Sequence, residues 1–209
     1  MKIKICGITK EEEIRMLNDA SVDYAGFVFY EKSKRNISIE AAAKLKEKLS
    51  PSIKSVAVTV SPDARLIGKI DEAGFDIIQV HKELAEDVVR CARHPIWRAA
   101  NIEGSGDIEG LRDFLKNLPD DCRQKIEAVV VDAPEFGSGR TFDWDGASFE
   151  KIPGVMFVLA GGLNAQNVAE GIRIFAPDVV DVSSSVEGEN GKVRDKINGF
   201  VNAVRNAGR

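Results

Sequence analysis

The chain has 209 residues, of which 44% are hydrophobic and 30% are charged, and its formal net charge is −4. This composition suits one compact domain with a sizeable core, and the scattered lysines and arginines argue against a nucleic-acid partner. No apolar run approaches the ~20 residues of a membrane span, and three widely spaced cysteines favour reduced thiols. We therefore expect a cytoplasmic protein without nucleic-acid or membrane partners.

Strand and helix patterns alternate along the chain with little interruption. Amphipathic helical spacing separates the strands, as in the buried-face set Ile197, Phe200, Val201 and Val204. The runs that predict strands are "KIKIC", "YAGFVF", "SIKSVAVTV", "DIIQVH", "IWRAAN", "EAVVVDA", "VMFVLAGG" and "VVDVSSS". Eight such units predict an α/β protein in which residues 1–209 form a single-domain (β/α)8 TIM barrel. The alternative is a doubly wound open sheet, but the first loop, "CGITK", has no glycine-rich nucleotide signature.

Helix starts are predicted from their capping residues. Thr9 and Glu12 have the spacing of a capping box after the first strand. Ser61-Pro62 and Asn164 predict the starts of two later helices.

The carboxyl ends of the strands are where such barrels carry their chemistry. Cys6 ends the first strand, and a lone cysteine is often only a small buried hydrophobe. At this position, however, its side chain should project into the mouth, where helix N-termini favour a thiolate. Cys91 and Cys122 have no such placement and are interpreted as structural.

Two small-residue turns follow the seventh and eighth strands. Gly161-Gly162 precede a helix, and Ser183-Ser184 follow the last strand. Glycines there could serve only a tight turn, but loops after strands seven and eight often bind phosphate. The pair of turns therefore favours a phosphate site.

Other candidates surround the same mouth. Asp132 closes an apolar strand, and it should face Cys6 across the barrel as an acid–base partner. Arg35 is either a solvated loop charge or a clamp for a substrate carboxylate. His81 ends the fourth strand and joins the substrate-binding candidates, whereas His94 precedes the fifth strand at the opposite end. Such scattered ligands predict no metal, and no cofactor motif is present.

The chain resembles phosphoribosylanthranilate isomerases of tryptophan biosynthesis over nearly its whole length. The matching segments are "KICGIT", "GFVFYEKSKRNIS", "IIQVH", "VVVDA" with "GSGRTFDW", "LAGGLNAQNV", and "DVSSSVE" followed by "KVRDKINGFV". The chain departs from the family at Ser185 and Lys82, where small residues, usually glycine, are common. The resemblance implies an Amadori rearrangement of N-(5-phosphoribosyl)anthranilate to 1-(2-carboxyphenylamino)-1-deoxyribulose 5-phosphate, without a cofactor.

By position, the resemblance assigns Cys6 as general base, Asp132 as general acid and Arg35 as the partner of the anthranilate carboxylate. It places the phosphate at Gly161, Gly162, Ser183 and Ser184. The alternatives are another phosphate-binding barrel, such as an aminoaldose isomerase, and a non-catalytic barrel that only binds a phosphoester. Aminoaldose isomerases of histidine biosynthesis use an aspartate where this chain has Cys6.

Overall fold

A computed structural model describes residues 1–101, 105–132 and 151–207, except for the side chains of residues 101, 105–108 and 132. The first half contains β1 (Lys2–Cys6), α1 (Glu11–Ala20), β2 (Tyr24–Phe29), α2 (Ile39–Lys46), β3 (Lys54–Val60), α3 (Ala64–Glu72), β4 (Ile77–His81), α4 (Glu86–Cys91) and β5 (Ile96–Asn101). The second half contains α5 (Ser105–Asn117), α6 (Asp120–Arg123), β6 (Ile126–Asp132), β7 (Met156–Leu159), α7 (Val168–Phe175), β8 (Val179–Val182), a 3₁₀ turn (Ser184–Val186), β9 (Glu187–Gly188), β10 (Gly191–Lys192) and α8 (Arg194–Ala207).

The eight strands β1 to β8 pair in chain order and close into one parallel barrel. β1 completes the closure, because it pairs with β2 on one side and with β8 on the other. The predicted (β/α)8 barrel is therefore confirmed, and the open-sheet alternative is wrong. β9 and β10 form a separate antiparallel hairpin after β8.

Alternation along each strand divides the apolar residues into two cores. Residues such as Ile3 and Ile5 of β1 face outward and pack with the buried faces of the helices. A second cluster fills the barrel interior, including Val56, Trp97 and Val130. The strands are buried on both faces for this reason, as their nearly continuous apolar runs predicted.

The predicted helix starts are displaced in the structure. The capping box at Thr9 and Glu12 is wrong: α1 begins at Glu11, and the carboxylate of Glu13 accepts the Thr9 and Lys10 N–H groups at 2.7 and 3.0 Å. Since Glu13 is the third residue of the helix, it reaches the N–H groups that precede the first turn. α3 is capped by Asp63 and not by Ser61-Pro62.

α7 begins at Val168, four residues after the predicted start at Asn164. The side chain of Asn164 caps the preceding turn instead, accepting the N–H groups of Gln166 and Asn167 at 2.9 and 3.1 Å.

Within the described residues, no helix is both long and apolar enough to cross a membrane.

Candidate active site

A cavity of about 480 Å³ opens at the carboxyl ends of the strands. It brings together seven of the eight predicted site residues: Cys6, Arg35, His81, Gly161, Gly162, Ser183 and Ser184. The eighth, Asp132, is the last residue of β6, and its side chain lies outside the described part of the chain. The thiol, the arginine and both small-residue turns therefore share one cavity.

Cys6 occupies a position for which its neighbours leave room. A Cβ at Gly26 on the adjacent strand would lie 2.9 Å from the Cys6 sulfur, so glycine is required for the thiol to fit. The Ser183 hydroxyl donates a hydrogen bond to the Cys6 carbonyl oxygen at 2.9 Å. β1 and the loop after β8 are thus tied together at the residue that carries the sulfur.

The electrostatic environment of Cys6 differs from the one predicted. Burial raises the pKa of the thiol above its ordinary value, Lys4, Lys192 and Arg35 lower it, and Asp181 raises it. The balance is upward, so the expectation of a thiolate favoured by helix N-termini is not met without substrate. Side-chain cations provide the opposing attraction.

Arg35 is held by a carboxylate that the sequence analysis overlooked. Its Nε and Nη2 atoms donate to Glu187 Oε1 and Oε2 at 2.6 and 2.9 Å, a bidentate pair. Lys192, fully buried, also reaches Glu187 at 2.8 Å. Gly7 makes room for this arrangement, because a Cβ there would lie 2.3 Å from Arg35 Cδ. Glu187 is the final residue of the "DVSSSVE" segment, so its place in that segment was the sequence signal that could have identified it as a site residue.

Glu187→Gln should weaken both the fold and the placement of Arg35. Burial raises the pKa of Glu187, but Arg35 and Lys192 outweigh it and hold the pKa at about 2, below the usual 4.5. The stabilisation is therefore complete above about pH 4.5 and is lost as the pH falls through about 2. At pH 7 the variant should lose about 2 kcal/mol in urea unfolding, and this deficit should shrink with acidification.

Glu189→Gln, in the exposed part of the same hairpin, is the matched control and should unfold like the wild type. A Glu187→Gln deficit that stays constant down to pH 2 would contradict a charged role for this carboxylate.

His81 is buried in the cavity wall and is neutral at physiological pH. Burial, with the charges of Lys4 and Arg98, lowers the pKa of His81 to about 3. The Gln79 side-chain nitrogen lies 2.9 Å from His81 Nε2. Because an amide nitrogen donates, Nε2 accepts this hydrogen bond and Nδ1 carries the proton of the neutral ring.

The His81 ring should therefore show no titration between pH 5 and pH 8. The ring resonances in a ¹H–¹⁵N NMR titration would report this directly. A midpoint near the ordinary value of 6.5 would contradict the neutral assignment.

The two predicted phosphate turns line the cavity, and the glycine turn has a left-handed backbone. Gly161 and Gly162 have φ values of 81° and 62°, which glycine adopts without a steric penalty. The Ser185 hydroxyl donates to the Leu163 carbonyl oxygen at 2.6 Å, joining the loops after β7 and β8. Ser185 lies in the 3₁₀ turn, so serine fits here without a left-handed backbone.

Lys82 is the departure that does carry backbone strain. Its φ of 59° is in the left-handed region, which is sterically unfavourable for a residue with a Cβ. The exposed side chain follows His81 at the rim of the cavity. His94, by contrast, lies 3.9 Å from Asp71, away from the cavity.

No group of three or more histidine, cysteine, aspartate or glutamate side chains in the described ranges is arranged to hold a metal ion. The residues around the cavity instead offer a thiol, cations, hydroxyl groups and glycine backbone. Such a surface is suited to binding an anionic ligand and moving protons on it.

Known proteins share both the sequence and the barrel. A family model described as N-(5′-phosphoribosyl)anthranilate (PRA) isomerase matches residues 3–203. The N-(5′-phosphoribosyl)anthranilate isomerase of Streptococcus gordonii is 38% identical over 205 residues, which cover 98% of this chain and 97% of the relative. The phosphoribosyl anthranilate isomerase of Thermotoga maritima has a similar structure, with a TM-score of 0.82, 30% identity and 99% of each chain covered.

A phosphoribosyl anthranilate isomerase solved with reduced 1-(o-carboxyphenylamino)-1-deoxyribulose 5-phosphate is also similar, with a TM-score of 0.79, 28% identity and 99% of each chain covered. The similarity to these proteins, in sequence and in structure, extends over almost the full length of the chain. The chain therefore belongs to the N-(5′-phosphoribosyl)anthranilate isomerase family.

Proposed function

We propose that this chain, as one domain over residues 1–209, isomerises N-(5′-phosphoribosyl)anthranilate to 1-(2-carboxyphenylamino)-1-deoxyribulose 5-phosphate in tryptophan biosynthesis. The observation that carries the proposal is the shared cavity, in which Cys6, Arg35 and two glycine- and serine-containing turns meet. Its volume of about 480 Å³ suits a ligand of this size. The relative bound to a reduced form of this product supports the same ligand class.

The substrate is anchored at its two anionic ends. The phosphate would bind at Gly161-Gly162 and Ser183-Ser184, which line the same cavity. The anthranilate carboxylate would bind Arg35. Glu187 uses two of the five N–H donors of a guanidinium, so the remaining edge is available to a second carboxylate.

Proton transfer would then occur on the sugar held between these anchors. Asp132, in its protonated form, gives a proton to the furanose ring oxygen, and the C1′–O bond breaks as the nitrogen lone pair forms a Schiff base. The Cys6 thiolate removes the C2′ proton, and the electron pair neutralises the iminium to give an enolamine. Tautomerisation of the enolamine yields the ketone product, so the chemistry involves no net oxidation.

Formation of the thiolate is the step that the free site disfavours. Since burial raises the pKa of Cys6, the neighbouring Lys4, Lys192 and Arg35 must supply the opposing stabilisation when the base is formed. Neutral His81 adds no charge to the cavity wall at pH 7.

We also propose a cytoplasmic location and action as a monomer or homodimer.

The proposal is tested by following the fluorescence of freshly prepared N-(5′-phosphoribosyl)anthranilate with the purified protein. The expected result is rapid loss of substrate fluorescence with formation of the ketose product. The aminoaldose substrate of histidine biosynthesis should be assayed in parallel and should not be isomerised. Binding without turnover would instead identify a non-catalytic phosphoester-binding barrel.

A further inference from the structure

A buried ion pair lies in the barrel interior on the strands beside the thiol. Lys4 precedes Cys6 by two residues on β1, so both side chains face the interior while Ile3 and Ile5 face outward. The barrel register pairs Lys4 with Asp181 of β8. The Lys4 ammonium lies 2.5 Å from Asp181 Oδ2, with 0% of the lysine and 7% of the aspartate exposed.

This pair is poorly suited to a role in stability alone. The attraction between two buried charges offsets their desolvation only when their remaining polar atoms are also satisfied. Among the residues that the structure describes, nothing donates a hydrogen bond to the buried Asp181 Oδ1. Asp181 also lines the cavity together with Cys6, so its carboxylate belongs to the wall of the site. Apolar side chains of similar volume would stabilise the interior as well or better.

We propose that Lys4 and Asp181 are positioning residues that set the protonation of Cys6. The Lys4 ammonium stabilises the thiolate from the interior side. Asp181 holds the ammonium in place, and its own negative charge partly offsets the stabilisation of the thiolate. The inference rests on the proposed role of Cys6 as the base. What is new is the identity of the positive charge, Lys4, that favours the thiolate form of the base.

The state of the lysine agrees with this role. Burial lowers the pKa of Lys4, but the Asp181 carboxylate and Cys6 outweigh it, so the pKa lies above its ordinary value. Burial raises the pKa of its partner Asp181 as well, against the lowering effects of Lys4 and Lys192. A cation on the same strand face as the sulfur favours the thiolate form.

In the part of the chain that the structure describes, the groups besides Lys4 whose charges act on the thiol include Lys192 from β10, Arg35 from the loop after β2, and Asp181 from β8. Lys192 and Arg35 are both paired with Glu187, at 2.8 and 2.6 Å. Lys4 differs from them because its carboxylate partner also faces the sulfur. Removing Lys4 alone should therefore raise the thiol pKa, and removing both charges should raise it by less.

The test is alkylation of Cys6 by iodoacetamide as a function of pH, followed on the Cys6 peptide by mass spectrometry and without substrate. In Lys4→Met the midpoint should move to higher pH by about 1 to 3 pH units, because a nearby cation is lost. Lys2→Met is the matched control: Lys2 is on the same strand, but its ammonium lies 3.3 Å from the Tyr24 hydroxyl, at the opposite end. Its midpoint should not move.

A double variant, Lys4→Met with Asp181→Leu, keeps the test independent of folding defects, because neither charge is left buried alone. Its Tm should stay near that of the wild type, and its midpoint should rise by less than in Lys4→Met. Its kcat at pH 7 should fall about tenfold or more and recover as the pH is raised, since one pKa unit changes the thiolate fraction tenfold. A merely structural pair would give no such recovery.

Two outcomes separate this inference from the proposed function. An unchanged midpoint in Lys4→Met, with an inactive Cys6→Ser enzyme, would overturn the role of the pair and leave the isomerase reaction intact. A higher midpoint in Lys4→Met, with a fully active Cys6→Ser enzyme, would support the electrostatic pair and overturn Cys6 as the base.

Discussion

Cys6→Ser is expected to lower kcat by at least about a hundredfold, the usual scale for loss of a general base. A serine hydroxyl preserves the shape of the side chain, but it ionises far less readily than a thiol, so C2′ proton removal should slow. KM should change little, because phosphate and carboxylate binding involve other residues. The measurement is steady-state fluorescence kinetics on N-(5′-phosphoribosyl)anthranilate.

Cys91→Ser is the matched control, because Cys91 is exposed on α4 and lies outside the cavity. It should retain wild-type kcat. A folded Cys6→Ser protein within a few-fold of the wild-type rate would show that another group removes the proton.

Asp132→Asn should produce a loss of similar size, at least about a hundredfold in kcat. The amide is nearly isosteric with the acid but does not supply a proton to the ring oxygen, so ring opening should become limiting. Single-turnover experiments should show bound substrate with little Schiff base formed.

Asp120→Asn replaces an exposed aspartate at the start of α6, and it should leave turnover unchanged. If Asp132→Asn instead raised KM and spared kcat, the carboxyl would have a binding role and not that of an acid.

The barrel was predictable because its determinants are local. Apolar runs of strand length alternate with helical spacing, and the predicted strands "YAGFVF" and "IWRAAN" match β2 and β5 residue for residue. Strand order follows from chain order in such a barrel, so the last residue of each strand could be assigned to the mouth. Cys6 and His81 were placed at the cavity by this reasoning.

The electrostatics of the site were not predictable in the same way. Arg35 and Glu187 are 152 positions apart in the sequence, and Lys4 and Asp181 are 177 apart. Such pairs leave no periodic signal, and only barrel closure brings them together. The upward shift of the Cys6 pKa could not be read from the sequence for the same reason, since it depends on burial by distant segments.

The proposed reaction can be tested with a crystal structure of this chain bound to the reduced ribulose phosphate product analogue. We expect the phosphate at the Gly161-Gly162 and Ser183-Ser184 turns and the carboxylate on Arg35. We also expect the Cys6 sulfur within about 4 Å of C2′, close to the separation needed for reaction. An analogue bound away from this cavity, or bound in it with the sulfur and the Asp132 carboxyl both remote from the sugar, would rule out the proposed roles of Cys6 and Asp132.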